Sequence, residues 1–220
     1  MAEAEIPVDL FNPGQVFGCL GFLEAAEVLL GGAEGGFDWS DAGAARCGFH
    51  MRAAGDRNPV EAVLGFLARA EVRSLAPIRS ENTTDKWGVD TERLPPGAPF
   101  PYPDPPSPAT LPAVIVADGR QIVLEHWGDA TRRDNVKFWA GSAGYPGAGL
   151  ARDSLALAYD EAETSAADPF ALAKPQSSSF RFDWRRDYIP IDAGFSPNEH
   201  GRVRMLGYPL VELLAAVGLT

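Results

Sequence analysis

The side chains that could do chemistry in this sequence are few and far apart. Its three histidines, His50, His126 and His200, stand alone. None has a second histidine or a cysteine at the spacing a metal site needs, so no metal ligands are predicted. Cys19 and Cys47 lie in apolar surroundings with no CxxC pattern and read as buried free thiols of a reducing compartment. The sequence contains no GxxxxGK[ST] loop to cradle phosphates, no GxSxG elbow and no HExxH helix. Carboxylates are plentiful but scattered, and Asp160-Glu161-Ala162-Glu163 reads as a solvated helix end, not as acids converging on metal ions. No catalytic residue and no cofactor is predicted. His50 alone carries an alternative, a general base for metal-independent RNA cleavage, because ferredoxin-like RNA-processing proteins can use a histidine in that way.

Binding chemistry is better represented. Two segments interleave aromatic and basic side chains. The first, from His126 to Gly141, holds Arg132, Arg133, Lys137 and Trp139; the second, from Phe180 to Tyr188, holds Arg181, Trp184, Arg185, Arg186 and Tyr188. Guanidinium forks suit phosphate oxygens and aromatic faces stack on bases, so these residues are candidates for nucleic-acid contact. Protein contact is a second reading. A third is internal structure, since Asp134, Asp183 and Asp187 stand beside the arginines and could pair with them. A smaller polar cluster, Asn82-Thr83-Thr84-Asp85-Lys86-Trp87, adds Lys86 and Trp87 as candidate binding residues.

Charge restrains the nucleic-acid reading. The net charge is −11, and residues 1–110 contribute −8 of it against −3 from residues 111–220. Nucleic-acid affinity rests on Lys and Arg replacing counterions, so a chain this acidic is not expected to hold DNA or RNA firmly by itself. It could form one wall of a site whose other walls are basic. A hydrophobic share of 45% excludes global disorder. No run approaches about 18 consecutive apolar residues, so no membrane span is expected. Met1 to Glu5 carries two acids and no Lys or Arg, unlike a secretory signal, which makes the cytoplasm the expected location.

The elements that must position these residues are clearest in the first third. Ile6 to Leu10 alternates like a strand. Asn12-Pro13 supplies a helix cap and a first-turn proline, and the helix runs to Leu30, stopped by Gly31-Gly32. Gly18 and Gly21 weaken it by about 1 kcal/mol each, a cost that close packing on a sheet could offset. Gly36 to Trp39 and Cys47 to Arg52 read as strands. Asn58-Pro59 repeats the cap before a helix to about Ala70, and Val72 to Leu75 reads as a fourth strand. The order β-α-β-β-α-β predicts a ferredoxin-like unit over residues 1–77.

Nine of the nineteen prolines fall between Pro95 and Pro112, and residues 78–112 read as a proline-rich connector. Residues 113–220 read as a second, irregular α+β region packed on the first. Asp118-Gly119 marks a two-residue hairpin between Ala113–Ala117 and Gln121–His126. Leu150 to Ala162 and Tyr208 to Val217 read as helices, and Val136 to Ala140 and Phe180 to Trp184 as strands. The fold class predicted is α+β.

Three stretches also resemble a known family. They are Ile6 to Ala26 (IPVDLFNPGQVFGCLGFLEAA), Arg132 to Gly141 (RRDNVKFWAG) and Phe180 to Asn198 (FRFDWRRDYIPIDAGFSPN). Together they resemble the short Cas-eight-like subunit (small Csb/Csx-type) of type I-G, formerly I-U, CRISPR-Cas systems. The resemblance implies a subunit of an antiviral effector complex, with other type I-G Cas proteins, guide RNA and target DNA as partners. It carries over no catalytic residue. A guide-RNA-processing ribonuclease and a protein-interaction adaptor without nucleic-acid contact stand as alternatives.

Overall fold

The computed structural model describes residues 1–38, 40, 46–78, 84–98, 113–124, 146–176, 179–185 and 205–219, which form a mixed α+β fold. Strand β1 (Ala2–Asp9) buries Ile6 and Val8 and exposes Glu3 and Glu5, as its alternation requires. Helix α1 (Pro13–Leu30) starts where the Asn12 side chain accepts the Gly14 N–H at 3.1 Å. Asn58 does the same for α2 (Pro59–Leu67), accepting from Val60 and Glu61 at 2.9 and 3.1 Å. In both, proline occupies a first-turn position where no donor is lost.

Strands β2 (Glu34–Phe37) and β3 (Arg46–Ala53) complete a sheet of order β1-β3-β2 in which both pairings are antiparallel. Ile6 lies opposite Phe49, and Val8 opposite Cys47. Both helices pack against β1 and β3. Three strands and a crossover helix thus follow the predicted order.

The fourth strand does not. A ferredoxin-like sheet would place it beside β1, but β4 (Glu71–Pro77) joins a second sheet of order β5-β4-β6-β7. There it runs antiparallel to β6 (Ala113–Ala117), with Val72 opposite Ile115, and parallel to β5 (Thr91–Leu94). Its inward residues Val72, Ser74 and Ala76 would suit either sheet. The choice is made by the hairpin of β6 and β7 (Arg120–Leu124), which supplies a bonded neighbour carrying the buried Ile115, Ile122 and Leu124. Its turn has φ of 50° at Asp118 and 73° at Gly119, the pair of left-handed residues a two-residue hairpin needs. Strand β5 lies within the stretch read as connector; residues 99–112, which hold most of the clustered prolines, lie outside the described residues, as does the strand expected at 136–140.

Helix α3 (Gly147–Ala158), the short strands β8 (Lys174–Pro175) and β9 (Leu206–Gly207), and α4 (Pro209–Gly218) follow. One apolar core runs from Ile6 in β1 to Val217 in α4. Helices α1 and α4 cross with almost no space between their backbones. A Cβ on Gly21 would lie 1.9 Å from the Leu214 carbonyl oxygen, and one on Gly218 would lie 2.0 Å from that of Phe17. Close approach was the expected return for glycine in α1, but the partner is a helix rather than a sheet. By length and composition α1 could cross a membrane; in the fold its Cys19, Phe22, Ala25 and Ala26 are fully buried in the core.

Candidate nucleic-acid or partner interface

The start of α1 and the segment 179–185 are far apart in sequence and interlocked in space. Asn12 Nδ2 donates to Asp183 Oδ1 at 2.9 Å while its Oδ1 caps the helix. Gly14 leaves room for this contact, because a Cβ there would lie 2.6 Å from the Phe182 carbonyl carbon and oxygen. Gln15 contributes on the other side, its Oε1 accepting the Asp9 N–H at 2.7 Å. The Asn-Pro-Gly-Gln run is therefore a cap and a socket at once.

A carboxylate from α4 holds the other half. Glu212, fully buried in the first turn of α4, accepts the N–H groups of Arg181 at 2.8 Å, Phe182 at 2.9 Å and Asp183 at 3.2 Å. Three successive amides reach one carboxylate only if the backbone curls, and Arg181 takes φ of 94°. The segment is thus an irregular loop and not the predicted strand. Phe180 and Phe182 still point inward, their rings stacked at 5.6 Å, but Asp183 breaks the alternation because it too is buried.

Arg185, a predicted binding residue, turns inward. Its guanidinium meets both Asp183 oxygens, with Nε at 2.9 and 3.1 Å, donates from Nη2 to the Phe170 carbonyl at 2.9 Å, and stacks 3.5 Å from the Tyr208 ring centroid. Packing, charge pairing and cation–π attraction all engage it within the chain. Arg181 and Trp184, by contrast, are exposed, Trp184 by 49%. Phe11, which the sequence reading passed over, is 76% exposed beside Asn12.

Lys86 and Trp87 sit on a single 3-10 turn, Asp85–Trp87, with the Lys86 ammonium 3.9 Å over the ring of its neighbour. Arg152 of α3 fixes that turn by donating from Nη1 to the Trp87 and Gly88 carbonyls at 2.5 and 3.0 Å. Residues 84–88 are a locally satisfied turn; Asn82 and Thr83 of the predicted cluster lie outside the described residues. The remaining predicted binding residues, Arg132, Arg133, Lys137, Trp139, Arg186 and Tyr188, lie outside the described residues.

Two shallow concavities elsewhere are formed by described residues. One of about 390 Å³ on the open face of the first sheet is lined by Glu3, Glu34, His50 and Arg52. His50, the candidate base, stands there with Nδ1 3.8 Å from Glu5 Oε2, both side chains more than half exposed. The other, of about 470 Å³, holds Arg69, Arg73, Arg120, Asp118 and Tyr159. Two of its arginines face carboxylates, Arg69 Nε 3.2 Å from Asp118 and Arg73 paired with Glu71, while Arg120 donates from Nη1 to the Val28 carbonyl at 3.2 Å. Among the described residues no three His, Cys, Asp or Glu side chains are placed to hold a metal ion. Burial, with the charge on Cys47 adding to it, pushes the Cys19 thiol far above its usual range; burial and then Asp38 raise Cys47 more modestly. Hydrogen bonds from the Ser40 N–H and hydroxyl hold the Asp38 carboxyl below its ordinary value.

Sequence reasoning missed Glu212 and the second role of Asn12. A signal existed for the former: Glu212 is the one charged residue in the otherwise apolar run from Tyr208 to Thr220. No protein-family model, curated protein or solved structure matches the chain.

Proposed function

We propose that the chain is a non-catalytic, cytoplasmic subunit or accessory of a type I-G CRISPR effector complex, serving as scaffold and contacting guide RNA or target DNA alongside other Cas proteins. The observation that carries this reading is the convergence of the Asn-Pro-Gly-Gln and Phe-Asp-Trp-Arg runs, both part of the resemblance, in one interlocked unit. Their contact, Asn12 Nδ2 on Asp183 Oδ1 with Gly14 against Phe182, supports reading the two runs as one structural unit. We read the N-terminal region as a ferredoxin-like unit whose fourth strand is given over to the second sheet. A protein-interaction adaptor without nucleic-acid contact is the second reading, favoured by the internal engagement of Arg185 and Lys86.

The test is co-expression with the other proteins of a type I-G effector. The chain should copurify with them as a stable component, and the pure chain should leave repeat RNA intact. Failure to enter the complex would remove the subunit reading. Sequence-dependent RNA cleavage abolished by His50→Ala would replace it with the ribonuclease.

A further inference from the structure

Among the described residues, strand β1 has a bonded neighbour on one side only, β3. The ladder shows which groups face the other side. The Asp38 N–H donates to the Gly48 carbonyl at 2.8 Å, which extends the β2–β3 pairing by one residue pair. A residue bonded to one antiparallel neighbour turns its N–H and C=O away from the other. Gly48, His50 and Arg52 therefore bond β2, while Cys47, Phe49, Met51 and Ala53 bond β1. The partners of the latter, Val8, Ile6, Ala4 and Ala2, direct their main-chain groups to β3. Glu3, Glu5, Pro7 and Asp9 turn theirs to the outer edge.

One end of that edge is already closed. The Asp9 N–H donates to Gln15 Oε1 at 2.7 Å, and the Asp9 carbonyl accepts the Asn12 N–H at 3.0 Å. Pro7 has no N–H to offer. The donors of Glu3 and Glu5 and the carbonyls of Glu3, Glu5 and Pro7 remain, and no described residue bonds them. The 3-10 turn Pro169–Ala171 touches β1 without supplying a partner. A ferredoxin-like sheet gives this place to its fourth strand, but here β4 belongs to the second sheet.

From this we infer that the Glu3–Pro7 edge of β1 docks an extended basic segment of another protein, added antiparallel as a further strand with Lys or Arg opposite Glu3 and Glu5. Main-chain bonds hold the segment and charge selects it. Residues 1–45 contain eight acids and no Lys or Arg. Glu3 is exposed, Glu5 lies over Gly48 yet is 60% exposed, and half-buried Asp9 adds a carboxylate at the closed end. The nearby bases do not cancel them. Arg52 is bonded to Glu34, through Nε at 3.0 Å and Nη2 at 2.5 Å, and attracts Glu3 only through space; His50 Nδ1 is 3.8 Å from Glu5 Oε2. Opposite charges on facing strands attract and like charges destabilise the pair. Acids and a proline are also what keeps an exposed edge from joining its own kind. Each antiparallel register of β1 on a second copy that overlaps by more than a few residues sets carboxylate against carboxylate. Nucleic acid is repelled for the same reason. The inference goes beyond the proposed function, since the partner need not be a Cas protein.

The experiment titrates the isolated full chain into fluorescein-labelled peptides of about eight residues. One alternates Lys with Val and Thr, one has Glu in place of Lys, and one is the basic peptide with its Lys amides N-methylated. At low salt the first should bind at least about tenfold more tightly than the others. It should slow amide hydrogen exchange at Glu3 and Glu5 and leave Asp9, already bonded to Gln15, unchanged. Glu5→Gln removes the charge but keeps the donor and should weaken binding about threefold. Glu5→Pro also removes the outward donor while sparing the β1–β3 ladder, and should weaken it about tenfold. Glu3→Lys with Glu5→Lys should turn the preference to the acidic peptide. Thermal melting confirms folding, and Glu61→Gln, on α2, serves as the unchanged control. Equal binding of basic and acidic peptides, binding without protection of Glu3 and Glu5, or a folded Glu5→Pro that binds like the parent overturns the inference. If Glu5→Pro does not fold, an unaltered preference in the double lysine variant overturns it. A concentration-dependent dimer that protects the same two amides does so too, by making a second copy the occupant. None of these readouts needs the effector, so failure to enter the complex removes only the subunit reading, and failure to bind the peptide removes only this one.

Discussion

Asn12 and Asp183, 171 residues apart in the chain, meet side chain to side chain at 2.9 Å in the protein interior. The bond makes Asn12 unlike the similar cap at Asn58. Asn58 only accepts, through Oδ1, whereas Asn12 accepts from Gly14 and donates to a carboxylate. An amide does this from two separate atoms, whereas an ionised carboxylate can only accept.

The two caps should therefore answer differently to the same change. Asn58→Asp keeps an accepting oxygen at a helix N-terminus and should shift stability by no more than about 0.5 kcal/mol. Asn12→Asp sets two buried carboxylates against each other. It should cost at least as much as Asn12→Ala, about 2–4 kcal/mol for a lost cap and a lost charge-assisted bond. Urea denaturation of the three variants checks this; equal responses of the two aspartates would show that Asp183 does not depend on Asn12.

Gly21→Ala and Gly218→Ala should each destabilise by roughly 3 kcal/mol or more, because the added methyl meets backbone that cannot move aside. Gly36→Ala, where a Cβ meets nothing within 4 Å, should be neutral or slightly stabilising. Thermal melting distinguishes them, and a tolerated Gly21→Ala would contradict the close crossing of α1 and α4.

Arg185→Lys should behave almost as badly as Arg185→Ala. Lysine has neither the fork for both Asp183 oxygens nor the flat face for Tyr208. Stranding the buried Asp183 should cost about 3–5 kcal/mol. Loss of stability with Arg185→Ala would mark this arginine as internal; a folded variant with normal melting would return it to the surface.

Thiol chemistry gives a fourth test. A raised pKa lowers the thiolate fraction at a given pH, so alkylation of both cysteines should be slow near neutrality and speed up as pH rises. Cys47, half-buried, should be modified first, and Cys19 only when denaturant opens the core. Mass spectrometry of the iodoacetamide-treated protein reads the order, and early modification of Cys19 would contradict its burial.

Local signals in the sequence predicted local structure well. Both Asn-Pro caps, the Asp118-Gly119 turn and the apolar run of α4 stand where short-range physics puts them. Two misreadings share a cause. The inward pattern of β4 is the same whichever sheet it enters, so its neighbour is decided by β6, some 40 residues on in register. Phe180 to Trp184 alternates like a strand, but Glu212, on a helix not yet reached in the chain, gathers its amides and turns Arg181 to φ of 94°. Periodicity records which residues face inward; it does not record what waits there.

The crossing of Gly21 with the Leu214–Gly218 turn also has a bearing on biosynthesis. Helix α1 leaves the ribosome before α4 and finds its partner only after all the residues between them have been made. At about 5–20 residues per second the delay is roughly 10–40 s, during which an 18-residue apolar helix has no α4 to cover it. Translation speed and chaperone supply should therefore govern the yield of this protein more than its final stability does.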